Sequence, residues 1–211
     1  MARGRAMKID IRQGFAEADR AEVAALYWQA FGQKLGRVLR PEPKALAFVA
    51  RVMRADHTLA AYDAAGRLLG VAGFKSPHGA FVGGRPGDLH AVYGWWGGQW
   101  RAIFLNLLSR EVENTRFLMD GLFVREDCRG MGVGSALLAA VVAEAARRGY
   151  AEVRLDVVDS NPRARALYER HGFRALFVAR LGPLRHVFGF GTATAMVRRV
   201  EQGRGMVQAD R

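Results

Sequence analysis

The sequence predicts an α/β fold around a mixed sheet, and three stretches predict it. Residues 120–150 read as strand, tight glycine loop and long helix: Leu122, Phe123 and Val124 are a short apolar run typical of a buried strand. Gly130, Gly132 and Gly134 alternate through the loop, and Val133, Leu137 and Val141 then fall at helical spacing until Gly149 stops the helix. A strand over 152–158 follows, and a right-handed crossover through that helix makes the strand pair parallel. Upstream, the apolar runs 58–62 and 68–74, joined by a turn from Asp63 to Gly66, form an antiparallel hairpin.

The remaining elements follow in order. Residues 8–12 alternate around Ile9 and Ile11, a first strand. Asp19 is expected to cap a helix through Phe31 that buries Val23, Leu26, Tyr27 and Ala30. Pro41 and Pro43 punctuate a loop before a helix over 44–54. Residues 76–114 are the long connection: loop-like at Pro77, Gly79, Gly83, Gly84, Pro86 and Gly87, then an amphipathic helix from about Trp95 to Glu113. Its stripe (Trp96, Trp100, Ile103, Phe104, Leu107, Leu108) packs on the chain's own core, walls a binding pocket, or meets a second copy. The central strand spans 116–124. Asn161 caps the next helix with Pro162 at its first position, and Gly172 ends it. Strands over 173–179 and 192–200 close the fold, with a Gly-Pro loop and His186 between them.

At 211 residues, 50% hydrophobic and 25% charged, the chain suits a single domain over 1–211 with a substantial core. Residues 1–7 and 201–211 are expected to be disordered or frayed. No apolar run reaches membrane-span length, and the basic start lacks the apolar core of a secretory signal. The lone Cys128 allows no internal disulfide, which fits a reducing cytoplasm. A net charge of +12 suits an anionic ligand. It also leaves open a nucleic-acid role, although the arginines are scattered rather than gathered on one helix.

A glycine loop opening a helix is an anion site, because first-turn N–H groups lack partners and the helix dipole adds partial positive charge there. A phosphate or pyrophosphate is the natural ligand. Gly134 is followed by Ser135 without the lysine of a Walker loop. The third glycine comes two residues after the second, not the three of a dinucleotide fingerprint. A merely tight strand-to-helix turn is the bland alternative.

Arg129-Gly130-Met131-Gly132-Val133-Gly134 resembles the Arg/Gln-x-x-Gly-x-Gly/Ala signature of the GNAT superfamily of acyl-CoA-dependent N-acetyltransferases. Further on, Asn161, Ala166-Leu167-Tyr168-Glu169 and Gly172-Phe173 resemble the family's second signature. The resemblance covers roughly residues 116–178 closely and the N-terminal half in order of elements only. It implies the GNAT fold, a mixed, mostly antiparallel sheet with a splayed parallel pair and flanking helices. It also implies acetyl-CoA as co-substrate without a metal, and a primary amine on a small molecule or protein as acceptor. Homodimers occur among relatives.

On that resemblance the main chain of Leu122, Phe123 and Val124 pairs with the pantetheine arm. Arg129, Gly130, Met131, Gly132, Val133, Gly134 and Ser135 wrap the pyrophosphate. Asn161 matches a cofactor-contacting asparagine, though capping alone explains it. Tyr168 matches the tyrosine that protonates the departing thiolate, a task suited to a phenol with an ordinary pKa of about 10; anchoring the helix is its structural alternative. Asp156, a carboxylate in an otherwise apolar strand, is the first candidate for general base and Asp120 its rival, with a buried structural role or a water chain as alternatives. Two other classes of function stand beside the enzyme: a catalytically silent CoA-binding sensor or scaffold, and a basic nucleic-acid-associated protein.

Overall fold

The computed structural model describes residues 7–108, 115–180 and 190–201, with the main chain alone at 33, 34, 37, 86, 100 and 103–108. In chain order the elements are β1 (Asp10–Gln13), α1 (Arg20–Leu39), α2 (Glu42–Val52), β2 (Thr58–Tyr62), β3 (Leu68–Ser76), β4 (Gly79–Ala80) and α3 (Pro86–Leu108). They continue with β5 (Phe117–Val124), α4 (Val133–Arg147), β6 (Glu152–Val158), α5 (Pro162–Arg170), β7 (Arg174–Arg180) and β8 (Thr192–Arg199). The strands form an open sheet in the order β1-β2-β3-β5-β6-β8-β7, with β4 added to β3. Every pairing is antiparallel except β5 with β6, the mixed, mostly antiparallel sheet that the sequence predicts.

Side-chain alternation along the strands divides the interior in two. On one face Phe74, Phe117, Met119, Val153 and Leu155 pack under Leu137, Leu138 and Val141 of α4. On the other, Tyr62, Val71 and Phe123 pack under Val23 and Leu26 of α1 and Phe48 and Val49 of α2. Among the described residues no helix is long and apolar enough to cross a membrane.

Helix α1 runs eight residues past Phe31, through Gly32 and Gly36. Its final carbonyls find donors on α3: Arg101 Nε donates to Val38 O at 2.7 Å, Arg101 Nη2 to Arg40 O at 3.0 Å, and the Tyr93 hydroxyl to Leu39 O at 2.5 Å. Arg20, at the start of α1, does the same for α2, donating to Ala50 O and Met53 O at 2.9 Å. Helix ends need such partners, and long-range donors are invisible to local spacing. Asp19 does not cap α1; its carboxylate accepts from the Tyr62 hydroxyl at 2.8 Å. Ala30 is exposed, and Trp28 and Ala24 take its expected place inside.

The connection 76–114 departs most from expectation. Helix α3 is two helical segments that meet at Gly94, whose φ of 75° and ψ of 170° are non-helical: the second starts at about Trp95 as expected, and the first, from Pro86, takes part of the expected loop. Just past the break Trp96 is 83% and Trp95 60% exposed, so neither ring packs on the chain's own core. Leu89 is buried, and Val92, Tyr93 and Ala102 pack on the α1–α2 core instead. The side chains of Trp100, Ile103, Phe104, Leu107 and Leu108, residues 109–114, the His186 loop and both termini lie outside the described residues.

Candidate active site

Strands β5 and β6 are in register only at Phe117↔Val153 and Leu118↔Arg154. Beyond Leu118 the β6-facing edge of β5 has no strand partner among the described residues, so Met119 to Val124 present main-chain donors and acceptors to a gap. Leu122 and Val124 turn their side chains to the α4 core and Phe123 to the α1 core. All three keep their main chain along the gap, where the resemblance expects it.

Inside β5 lies a bulge. Met119 pairs with Phe74 and Gly121 with Gly73, which leaves Asp120 as the extra residue without a partner on β3. Asp120 therefore sits mid-strand rather than at the strand's start. Glycine is required at 121 because the Phe123 ring lies over the place a Cβ would occupy. Tyr27, Phe31 and Phe81 surround Phe123 at centroid distances of 5.6, 5.7 and 6.2 Å, an aromatic wall beside the bulge. Burial, and then the Asp120 carboxylate, push the Tyr27 phenol well above its ordinary value. Lys75 Nζ stands 3.1 Å from Asp120 Oδ1.

At the far end of β5, a short turn over Glu126–Cys128 leads into the glycine loop. Gly130 and Gly132 have φ of 81° and 86°, the left-handed conformation, and a Cβ on either would enter open space. Gly134 is different: its Cβ would meet Leu167 Cδ2 at 3.3 Å and Leu122 Cδ2 at 3.7 Å, so it serves close packing of α4 on β5 and α5. The N-terminus of α4 carries no side-chain cap, so no capping side chain takes its first-turn N–H groups. Uncapped amides behind two unhindered glycines fit a diphosphate. Arg129, 3.6 Å from Glu126, and Met131 are both more than half exposed along the loop. Ser135 Oγ is 3.0 Å from His171 Nε2. A groove of 560 Å³ between α1 and this turn is lined by Glu22, Glu126, Asp127 and a single cation, Arg125. Its carboxylates suit no anion. Cys128 is buried beneath the loop.

Tyr168 lies on the α4 side of the sheet, 7% exposed, with its ring 6.0 Å from Phe173. Burial pushes its phenol up to about 12, and its hydroxyl makes no hydrogen bond among the described residues. Asn161 caps α5, accepting from Ala164 N at 3.1 Å. His171 closes α5 as a capping residue; burial, then Arg198 and Arg170, hold it below its ordinary value. Asp156 is not buried: its side chain is 37% exposed, 3.6 Å from Arg154 Nη2. Because Leu118 and Arg154 share a row, Asp156 and Asp120 face the same side of the sheet, opposite the α4 core, across the gap.

The geometry thus gathers the glycine loop, the β5 edge and Tyr168 on one side and the two carboxylates on the other. Lys75 and Tyr27 are site neighbours that spacing alone does not reveal, whereas Arg154 lies two residues before Asp156 on the same strand. The signals for them are a lysine in an apolar strand and a glycine beside an aspartate within β5.

A model of the Acetyltransferase (GNAT) family matches residues 20–173. Among solved structures, an acetyltransferase aligns at 23% identity and TM-score 0.59, over 91% of this chain and 100% of its own. An N-acetyltransferase from Staphylococcus aureus Mu50 aligns at 16% identity and TM-score 0.65, over 90% and 100%. A GCN5-related N-acetyltransferase from Kribbella flavida gives 18% identity and TM-score 0.59, over 90% and 97%. These likenesses extend the shared fold over most of the chain, and the match over 20–173, loop and gap included, makes this protein a member of the acetyltransferase (GNAT) family.

Proposed function

We propose that the protein transfers an acetyl group from acetyl-CoA to a primary amine by direct attack in a ternary complex. The observation that carries this reading is the two-residue pairing of β5 with β6, which leaves a gap between the glycine loop and the carboxylate-bearing face. Acetyl-CoA supplies an activated thioester when bound. The first-turn amides of Gly132, Val133, Gly134 and Ser135, flanked by Arg129, Gly130 and Met131, hold its diphosphate. The free main-chain edge of Leu122, Phe123 and Val124 aligns the pantetheine arm, with Asn161 at the mouth of α5.

The chain's remaining tasks are proton transfers. An amine attacks only when neutral, so a carboxylate accepts its proton. Asp120 suits this role: it is half-buried, at the bulge, beside the aromatic wall. Asp156 is the second candidate, more exposed across the gap. Tyr168 donates to the leaving sulfur, and a phenol held near 12 keeps its proton throughout the physiological range. The acceptor is a small molecule or a protein amine, and the setting is the cytoplasm.

The test is release of free thiol from acetyl-CoA, with and without a panel of amines, alongside calorimetric binding of acetyl-CoA. Amine-dependent release, lost in Tyr168→Phe, is expected. Tight binding with no release for any amine replaces the enzyme by a CoA-binding protein. An acid limb of the pH–rate profile that is unmoved in Asp120→Asn but shifted in Asp156→Asn transfers the base to Asp156.

A further inference from the structure

The face that carries Asp120 and Asp156 also carries two cations, each matched to a carboxylate. Lys75 on β3 pairs in register with Leu118 on β5, and Leu118 with Arg154 on β6, so the three lie in one row across the sheet. Lys75 Nζ meets Asp120 Oδ1 at 3.1 Å on one bank of the gap, and Arg154 Nη2 meets Asp156 Oδ1 at 3.6 Å on the other. The Arg154 guanidinium also lies over the Phe177 ring, 5.1 Å from its centroid. Lys75 and Asp120 are 33% and 19% exposed: reachable by a ligand, yet poorly hydrated.

A ligand amine that engages Asp120 takes away the counter-charge of Lys75. Leaving a partly buried cation unpaired is costly, whereas replacing its partner is not. An acceptor carrying only an amine imposes that cost. An acceptor whose nitrogen has a carboxylate beside it exchanges partners instead, nitrogen to Asp120 and carboxylate to Lys75. The amine and carboxylate of an amino acid lie as near each other as the two protein groups they replace. The whole chain adds a second reason: at +12, its field repels polycationic acceptors and tolerates zwitterions.

Resting on the acetyl-transfer reading above, we propose that the acceptor is an amine bearing a carboxylate next to its nitrogen, of the amino-acid class, and that Lys75 selects it. By drawing Lys75 aside, the acceptor's carboxylate also leaves the Asp120 oxygens to the incoming nitrogen. Lys75 is a specificity and positioning residue.

The experiment compares free amino acids with the amines that lack only their carboxylate, on the full chain saturated with CoA for binding and with acetyl-CoA for turnover. For at least one acid, binding about tenfold tighter than its matched amine is expected, with the same preference in kcat/KM. Lys75→Met removes the preference by weakening the acid and, with no lysine left to orphan, tightening the amine, and Lys75→Arg restores part of the preference. Calorimetry of acetyl-CoA with each variant reports whether the fold and the cofactor site survive. Equal binding of every acid and its amine overturns the inference, as does no acid binding at all, or an equal loss for acid and amine in Lys75→Met. Preferential acid binding that Lys75→Met abolishes, without thiol release, leaves the selection by Lys75 standing and overturns acetyl transfer; release from all amines without preference does the reverse.

Discussion

His171 Nε2 lies 3.0 Å from Ser135 Oγ, so the last turn of α5 is bonded to the first turn of α4. That contact steadies the helix mouth assigned to the diphosphate. His171→Ala is expected to weaken acetyl-CoA binding about fivefold by calorimetry, with a smaller effect on kcat. The folded His171 is held below its ordinary value, chiefly by burial. The unfolded chain therefore takes the proton more readily. The stability it contributes is present above about pH 6.5 and is lost as pH falls through the folded value. Thermal melts of His171→Gln should show a shallower loss on that acid side than the parent.

Tyr168→Phe keeps the buried ring and removes a hydroxyl that makes no hydrogen bond among the described residues. The melting temperature should therefore hold, while kcat falls about 100-fold, the scale of a lost general acid. An equal fall in both assigns the residue to packing. For the folded protein the raised phenol value also means stability that is full below about pH 10 and lost as pH rises toward about 12.

Gly132 and Gly134 should fail in different ways. Gly132→Ala meets no protein atom but forces a side chain into the left-handed region, costing about 1–2 kcal/mol along with cofactor affinity. Gly134→Val instead drives methyl groups into Leu167 and Leu122, an overpacking cost of about 1–3 kcal/mol. Denaturant midpoints and acetyl-CoA titrations of the two variants separate strain in the loop from wedging of the helix.

Glu144, 7% exposed on α4, accepts from Arg147 at 2.6 Å and from Arg148 at 2.6 Å. Burial alone would raise its value, and the two arginines more than offset that, so it titrates below an ordinary carboxylate. Its contribution is present above about pH 4.5 and lost as pH falls. Glu144→Gln should lower stability by about 1–3 kcal/mol at pH 7, with a gap to the parent that narrows in acid. Chemical denaturation at the two pH values reads it.

Much of this architecture was legible in the residues. Strand, glycine loop and helix over 120–150 declare themselves because each has a local cause: an apolar run, left-handed glycines, a 3.6-residue period. The cap at Asn161 was equally readable, since its partner lies three residues away. What escaped depends on distant partners. The last turns of α1 need Tyr93 and Arg101 from α3. Asp19 gives up its capping role to Tyr62, forty-three residues on. Within the site, the glycines of the loop were readable, but the Asp120 bulge is a matter of register between β3 and β5. The pairing of Asp120 with Lys75 depends on β3 lying beside β5, which no spacing along the chain contains, whereas Arg154 and Asp156 stand two residues apart on one strand.

Tyr93 and Arg101 on α3 hold the end of α1, and Arg20 on α1 holds the end of α2. Unwinding α3 orphans carbonyls at the end of α1, and unwinding α1 orphans those at the end of α2. Loss of order in α3 is thereby passed to α1, and from α1 to α2. Tyr27 and Phe31, the α1 rings set against Phe123 beside the gap, therefore depend on α3 for their footing.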